Sequence, residues 1–282
     1  MQSPTTARIG FAHTRSGEDV SKIRNAAKFC AVLVLGRETK PRRILRGLAS
    51  GYKIRVSPVE NLSYLVGTAE PQLQRTIRRY VGAGDTVYDI GANIGYVTLS
   101  LAKRVGSDGY VASFEPVQQN LEVLRENVRN NRLSNIHVFD FAASEREGQA
   151  IIRFAENLST ASLVWHRENK SSTEVPIKTI AVDDLVETGA LPGRPKFVKI
   201  DVEGAEGLTL LGMRRTLAAA KPVVFIECSE IGRETTWQLL RQLGYRCQSA
   251  ISGRDVDSFD EYRHSDFLWL PAERTMAVGR AG

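Results

Sequence analysis

From residue 86 onward the chain alternates short apolar runs with longer amphipathic ones, and this rhythm restricts the fold more than any other feature. Runs at 86–90, 109–115 and 136–142 read as strands, separated by helical segments at 94–104 and 117–131. The pattern returns with a strand at 197–201, a helix at 205–219, a strand at 223–227 and a helix at 234–243. Strands at 245–249 and 267–270 close the chain. Such alternation predicts a mostly parallel sheet of seven strands with helices on both faces. Between the two blocks, 151–154, 162–165 and 175–180 change rhythm and predict an antiparallel embellishment. Upstream, 52–56 and 63–66 read as short strands, and Glu70-Pro71 opens a helix through Tyr80, proline suiting the first helical turn. A helix is expected within 21–48, carrying Ile23, Ala26, Ala27, Cys30 and Val34 near one face, after a loose tail over 1–20. The expected organisation is a basic extension over residues 1–60 and an α/β domain over 61–282.

Composition removes several alternatives. Hydrophobic residues at 42% and charged residues at 25% of 282 exclude a wholly disordered, collagen-like or coiled-coil chain. The longest apolar run, Phe29 to Gly36, falls far short of the ~20 residues a membrane span needs. The start, Met-Gln-Ser-Pro-Thr-Thr, has no secretory-leader pattern. Cys30, Cys228 and Cys247 are scattered and unpaired in sequence, as are the four histidines, so neither a disulfide framework nor a zinc site is expected. These features predict a cytoplasmic protein and no bound metal. The net charge of +6 is uneven: residues 1–80 carry 15 Lys/Arg against 5 Asp/Glu, the remainder 23 against 27. Lys40, Arg42, Arg43 and Arg46 around Ile44 and Leu45 form the densest basic stretch. It is either a solvated face or a peripheral contact with an anionic membrane or a lipid-linked substrate. No RNA-binding aromatic motif accompanies it, and no nucleic-acid partner is expected.

In a parallel sheet, ligands bind outside the carboxyl ends of the strands, so function is read there. The first end is Asp89-Ile90-Gly91-Ala92-Asn93-Ile94-Gly95. Gly91 and Gly95 permit a sharp turn and close approach of a ligand, but the G-x-x-x-G spacing is not the G-x-G-x-x-G of a dinucleotide site. The second end, Phe114-Glu115-Pro116, places Glu115 where a carboxylate can accept two ribose hydroxyl bonds or cap the next helix. The third carries Asp140, able to meet an adenine amino group or to face solvent. The fourth, Lys199-Ile200-Asp201-Val202-Glu203-Gly204-Ala205-Glu206, holds three carboxylates, and Glu227 follows at the next strand end. Together these describe a nucleoside pocket without a pyrophosphate cradle, beside acids that can bind a cation, act as a base or hold a metal.

The first, second and fourth of these segments, with Ala142-Ala143-Ser144-Glu145-Arg146-Glu147-Gly148 and the lead-in Leu65-Val66-Gly67-Thr68-Ala69-Glu70-Pro71, resemble the FkbM-type methyltransferases over roughly residues 60–230. Asp201-Val202-Glu203-Gly204-Ala205-Glu206 is the most specific part; Ala69 stands where that family often has an aromatic residue. The resemblance implies a Rossmann-like class I fold and S-adenosyl-L-methionine as cofactor. It implies that Gly91, Asn93 and Gly95 surround the methionine end, that Glu115 holds the ribose and that Asp140 lies near the adenine. Asp89 and Ala142 join them as cofactor-binding residues.

The implied reaction is transfer of a methyl group to a hydroxyl of a sugar, a glycolipid or polysaccharide precursor, or a natural product. Asp201 or Glu203 is expected to accept the hydroxyl proton, with Glu70 and Glu227 in support; Asp201 could instead hold the cofactor's ammonium group, or a metal with Glu227. The fourth strand end reads D-V-E-G instead of an N/D-P-P-Y/F loop, favouring an oxygen acceptor over nitrogen. A nitrogen acceptor and a non-catalytic nucleoside-binding protein are the alternatives.

Overall fold

The structure, a computed structural model, describes residues 36–155, 172–258 and 265–272. Its centre is an eight-stranded sheet. Five parallel strands form one side of it: β3 (Thr86–Ile90), β4 (Tyr110–Phe114), β5 (Ile136–Phe139) at the edge, β9 (Phe197–Asp201) and β10 (Val223–Glu227). Two antiparallel additions, β13 (Asp266–Pro271) and β11 (Tyr245–Ser249), extend it beyond β10, and the two-residue β12 (Asp255–Val256) edges it. The order is β12-β11-β13-β10-β9-β3-β4-β5. The mostly parallel α/β sheet is as expected, with β12 making eight strands instead of seven.

Alternate residues of each central strand enter cores on opposite faces. Tyr88, Ile90, Val198, Ile200, Val224 and Ile226 pack on one side, and Val87, Phe197, Val223 and Phe225 on the other. Helices α3 (Tyr96–Val105) and α4 (Gln118–Asn130) follow β3 and β4, the latter burying Leu121 and Leu124. Helix α2 (Pro71–Tyr80) buries Leu73 and Ile77 against the second core. Each fully buried branched or aromatic side chain contributes about 1.5–3 kcal/mol.

Four local expectations are corrected. Residues 63–66 lie in a one-turn helix, α1 (Leu62–Val66), where Leu65 N–H bonds to Asn61 C=O and left-handed Gly67 ends the turn. A run this short shows no usable period. The helix expected at 205–219 is two, α6 (Glu206–Gly212) and α7 (Arg214–Ala220), broken at Met213. Within 21–48, residues 40–43 are strand: β1 (Lys40–Arg43) pairs antiparallel with β2 (Lys53–Val56), while 21–35 lie outside the described residues. The run at 136–142 divides into β5 and β6 (Ala142–Ala143). β6 joins β7 (Gly148–Ala155) and β8 (Ser172–Ile180) in a small second sheet, ordered β6-β8-β7. The strand expected at 162–165 falls outside the described residues. Between β8 and β9 lies α5 (Val182–Glu187), and α8 (Arg233–Gln242) follows β10.

The β1–β2 hairpin packs Ile44, Ala49, Ile54 and Val56 against Leu65, Ala69, Tyr96 and Leu99. It thereby backs the wall formed by α1 and α3 beside the strand ends. No described helix is long and apolar enough to cross a membrane.

Candidate active site at the carboxyl ends of the strands

Strand register assembles the site before any ligand is considered. On one sheet face Asp89 pairs with Ser113 and with Lys199 across β4, β3 and β9. One step nearer the carboxyl ends, Asp201 pairs with Glu227 and Glu227 with Asp266, across β9, β10 and β13. Residues two apart in a strand share a face, so both polar rows lie on the side of α3. Asp89 is fully buried; Thr98 Oγ1 donates to its Oδ2 at 2.6 Å, and Ser113 Oγ donates to Thr98 Oγ1 at 3.1 Å. Lys199 Nζ donates to Gly91 C=O at 2.6 Å and stands 3.5 Å from Asp89 Oδ1 and 3.3 Å from Asp201 Oδ2.

Two adjoining cavities open here, sharing Gly91, Asn93 and Asp201. The first holds about 720 Å³ of empty space, including its open mouth. Glu115 lies on its floor, Phe114, Val117, Phe141, Ala142 and Ile152 form apolar walls, and Glu203 stands at the β9 side. The Glu115 carboxylate is organised by the chain itself: Asn93 N–H donates to Oε2 at 2.8 Å and Val117 N–H to Oε1 at 3.0 Å. Burial raises its pKa, and those backbone bonds partly oppose the rise. The second cavity is lined by Tyr64, Glu70, Tyr96, Lys199, Phe225 and Glu227 around the shared residues.

Burial raises the Glu203 carboxyl first and Asp201 second; for Glu70, burial leads, followed by Asp266 and Asp201. Glu227 is pushed up to about 7, by burial and then by Asp201. For Lys199, burial works against the charge, yet Asp201 and then Asp89 outweigh it and its pKa is raised. Non-glycine residues with positive φ concentrate here. Of five among the described residues, Glu70 (50°), Asn93 (51°) and Glu203 (50°) line the cavities. Such strain persists only where surrounding structure enforces it, and it marks functional sites.

The expected site residues separate by position. Gly91, Asn93, Glu115, Ala142, Asp201 and Glu203 all line the first cavity. Asp89 lies beneath it, and Gly95 is the left-handed residue before α3, where an added Cβ would meet Leu124 Cδ1 at 2.5 Å. Asp140 is half exposed, 4.0 Å from Arg125 and outside the lining. Glu206 is fully buried and accepts from Gly204 N–H at 2.7 Å and Ser229 Oγ at 3.0 Å, fastening two loops together. Lys199, Tyr64 and Tyr96, to which the strand-end pattern assigns no role, line the second cavity as well. A lysine inside the otherwise apolar run at 197–200 was a usable signal for the first; the tyrosines come from separate elements and gave none. Among the described residues, no group of three or more His, Cys, Asp or Glu is arranged to hold a metal ion.

The first cavity fits a nucleoside carrying a small charged tail: apolar walls for a base, a buried carboxylate for a ribose, and a glycine turn with acids beyond. A family model for the methyltransferase FkbM domain matches residues 89–247, more than half of the chain. Hexuronic acid methyltransferase AglP from Haloferax volcanii is 28% identical over 193 residues, spanning 64% of this chain and 72% of that protein. Among solved structures, methyltransferase FkbM from Methylobacillus flagellatus matches with TM-score 0.43 and 19% identity, over 89% of this chain and 60% of that one. Fibrillarin from Aeropyrum pernix, solved with bound S-adenosyl-L-methionine, matches with TM-score 0.41 and 14% identity, over 68% of each chain.

Proposed function

The chain belongs to the FkbM methyltransferase family and is a methyltransferase, and from that premise we propose that it uses S-adenosylmethionine to methylate a hydroxyl of a sugar or glycan precursor. The observation that carries this reading is the placement of Asp201, which lines both the first cavity, with its apolar walls and buried carboxylate, and the tyrosine-walled one. One carboxylate thus borders both the cofactor space and the space left for an acceptor. The name of the Haloferax relative, a hexuronic acid methyltransferase, supports a sugar acceptor.

S-Adenosylmethionine, when bound, supplies an electrophilic methyl group on a sulfonium. The chain's own contribution is alignment, field and proton removal. Glu115 would accept the ribose hydroxyl bonds, and Val117, Phe141, Ala142 and Ile152 would enclose the base. Gly91 and Asn93 would border the methionine end. An attacking hydroxyl must lose its proton, so a carboxylate within reach is useful and contributes about 10²–10⁴-fold. Asp201 and Glu203 are the proposed acceptors of that proton; burial strengthens Glu203 as a base. Glu70 and Glu227 support them from the second cavity. Lys40, Arg43 and Arg46, exposed around Leu45 (67% exposed), are proposed as a contact for an anionic or lipid-linked acceptor.

Calorimetric titration with S-adenosylmethionine, S-adenosylhomocysteine and NAD is the first test, followed by labelled-methyl transfer to a panel of hexosides and hexuronates. Binding of both sulfur nucleotides but not NAD, with base-stable label on a sugar, is the expected result. Label released by mild base would mean a methyl ester and would overturn hydroxyl specificity. A folded protein binding neither sulfur nucleotide would overturn the cofactor assignment.

A further inference from the structure

Lys199 is buried in the middle of a parallel strand, where a lysine is costly unless its charge is matched. Neighbouring positions of β9 show the anomaly: Phe197, Val198 and Ile200 are all fully buried and apolar. Its side chain is 6% exposed and meets three acceptors, Asp89 and Gly91 across the sheet and Asp201 two residues on along β9. The shortest contact is to the Gly91 carbonyl at 2.6 Å, the residue at which β3 turns away from the sheet. The others are the Asp201 carboxylate at 3.3 Å and the Asp89 carboxylate at 3.5 Å. Asp89 is itself oriented by Thr98, which Ser113 supports from β4.

One ammonium group therefore links the turn bordering the first cavity to the carboxylate bordering both cavities. The peptide plane between Gly91 and Ala92 is held on one side by the Ala92 N–H bond to the Phe114 carbonyl at 2.9 Å, and Nζ holds its carbonyl on the other. The same Nζ stands against the Asp201 carboxylate, so one cation completes both contacts. We infer that Lys199 is a positioning residue: it fixes the Gly91 turn and the Asp201 carboxylate together, and its charge tunes how the site distinguishes a sulfonium from a neutral thioether.

The charge matters because Lys199 offsets acids that would otherwise favour a cation. Asp201 and Asp89 contact it directly, and Glu70, Glu203 and Glu227 lie around Asp201. S-Adenosylmethionine and S-adenosylhomocysteine differ by one methyl group and one positive charge at sulfur. Their affinity ratio therefore reports the field at that atom, whereas their common affinity reports the geometry of the turn. This inference rests on the cofactor assignment proposed above.

The test is calorimetric titration of wild type, Lys199→Met, Lys199→Arg and Val198→Ala with both ligands at one pH and one salt concentration, beside thermal unfolding of each. Val198 is fully buried on the same strand, faces the opposite side of the sheet from Lys199 and lines neither cavity, so its truncation costs stability while leaving every lining side chain in place. Lys199→Met is expected to weaken both ligands about tenfold or more, as for loss of a charged hydrogen bond. It should also shift their ratio about threefold or more toward the sulfonium. Lys199→Arg keeps the charge but not the compact ammonium, so affinity should fall while the ratio stays near wild type. Val198→Ala should lower the unfolding temperature with both affinities and their ratio intact. Should Lys199→Met not fold, Lys199→Arg alone decides the geometric part: wild-type affinity there overturns it. An unchanged ratio in Lys199→Met, or a shift shared with Val198→Ala, would reduce Lys199 to a fold residue and overturn the inference. Wild-type protein binding neither ligand would instead remove the cofactor assignment beneath it.

Discussion

A Cβ placed on Gly91 would stand 1.8 Å from the backbone carbonyl oxygen of Asp201, and Gly91 itself has φ of 79°. The glycine is therefore required by the approach of β3 to β9, in addition to any ligand. Gly91→Ala forces two strand ends apart and strains the turn, at a combined cost of about 2–4 kcal/mol. Urea unfolding should show that loss, and calorimetry should show binding of S-adenosylmethionine abolished in whatever fraction remains folded. Binding at wild-type affinity would refute the placement of the methionine end at this turn.

Glu206 is predicted to be structural. Its carboxylate is fully buried and accepts from Gly204 and Ser229, and a Cβ on Gly232 would stand 2.4 Å from its Oε2. Removing it leaves those donors unsatisfied, so Glu206→Ala should lower stability by about 2–3 kcal/mol. Chemical denaturation measures this directly. A variant as stable as wild type would show that solvent takes over both donors.

The parallel sheet was legible because β3, β4, β9 and β10 are each a short apolar run followed by a glycine or acid and then a helix. The same logic placed Asp89, Gly91, Glu115 and Asp201 at strand ends, where they are found. What could not be read was anything set by the register between strands. That Asp89 lies opposite Lys199, and Asp201 opposite Glu227, depends on pairing across more than 100 and 20 residues respectively. Nor could α1 be read, since one turn of helix and one short strand use the same few apolar residues. Asp140 shows the converse: at the end of the third strand it met the positional rule, yet its side chain lies near Arg125, outside the cavity lining.

Glu227 makes stability pH-dependent. Its folded pKa is pushed up to about 7, above the ordinary glutamate value of 4.5, by burial and then by Asp201. Because the folded state holds the proton more tightly, its contribution is fully present below about 4.5 and is lost as pH rises through about 7. Glu227→Gln keeps the shape and removes the titration. It should be more stable than wild type at pH 8 by on the order of 1 kcal/mol, allowing for solvent screening of a partly exposed group. The difference should vanish toward pH 4.5. Unfolding curves of both proteins across that range check it, and a difference independent of pH would contradict the assignment.

Tyr64 is predicted to serve the acceptor and not the cofactor. Its ring stacks on Tyr96 with centroids 4.5 Å apart and planes 8° from parallel, and both line the second cavity only. Tyr96 is the anchored member: Gln74 Nε2 donates to its hydroxyl at 3.2 Å and to the Ala69 carbonyl at 2.7 Å, tying α3 to the start of α2. Tyr64 is carried by the single turn of α1, whose Leu65 is held by the basic hairpin through the Leu45 N–H bond to its carbonyl. Truncating Tyr64 thus removes an aromatic wall while leaving its support in place. Loss of an aromatic contact of about 1–1.5 kcal/mol corresponds to roughly a tenfold rise in acceptor KM. Tyr64→Ala should show that rise with the S-adenosylmethionine Kd within about twofold of wild type, and Tyr64→Phe should restore the KM if the ring face is what matters. Steady-state kinetics on an accepted sugar, paired with calorimetry, separates the two. A Kd that rises in step with KM would place Tyr64 on the cofactor and move the acceptor elsewhere.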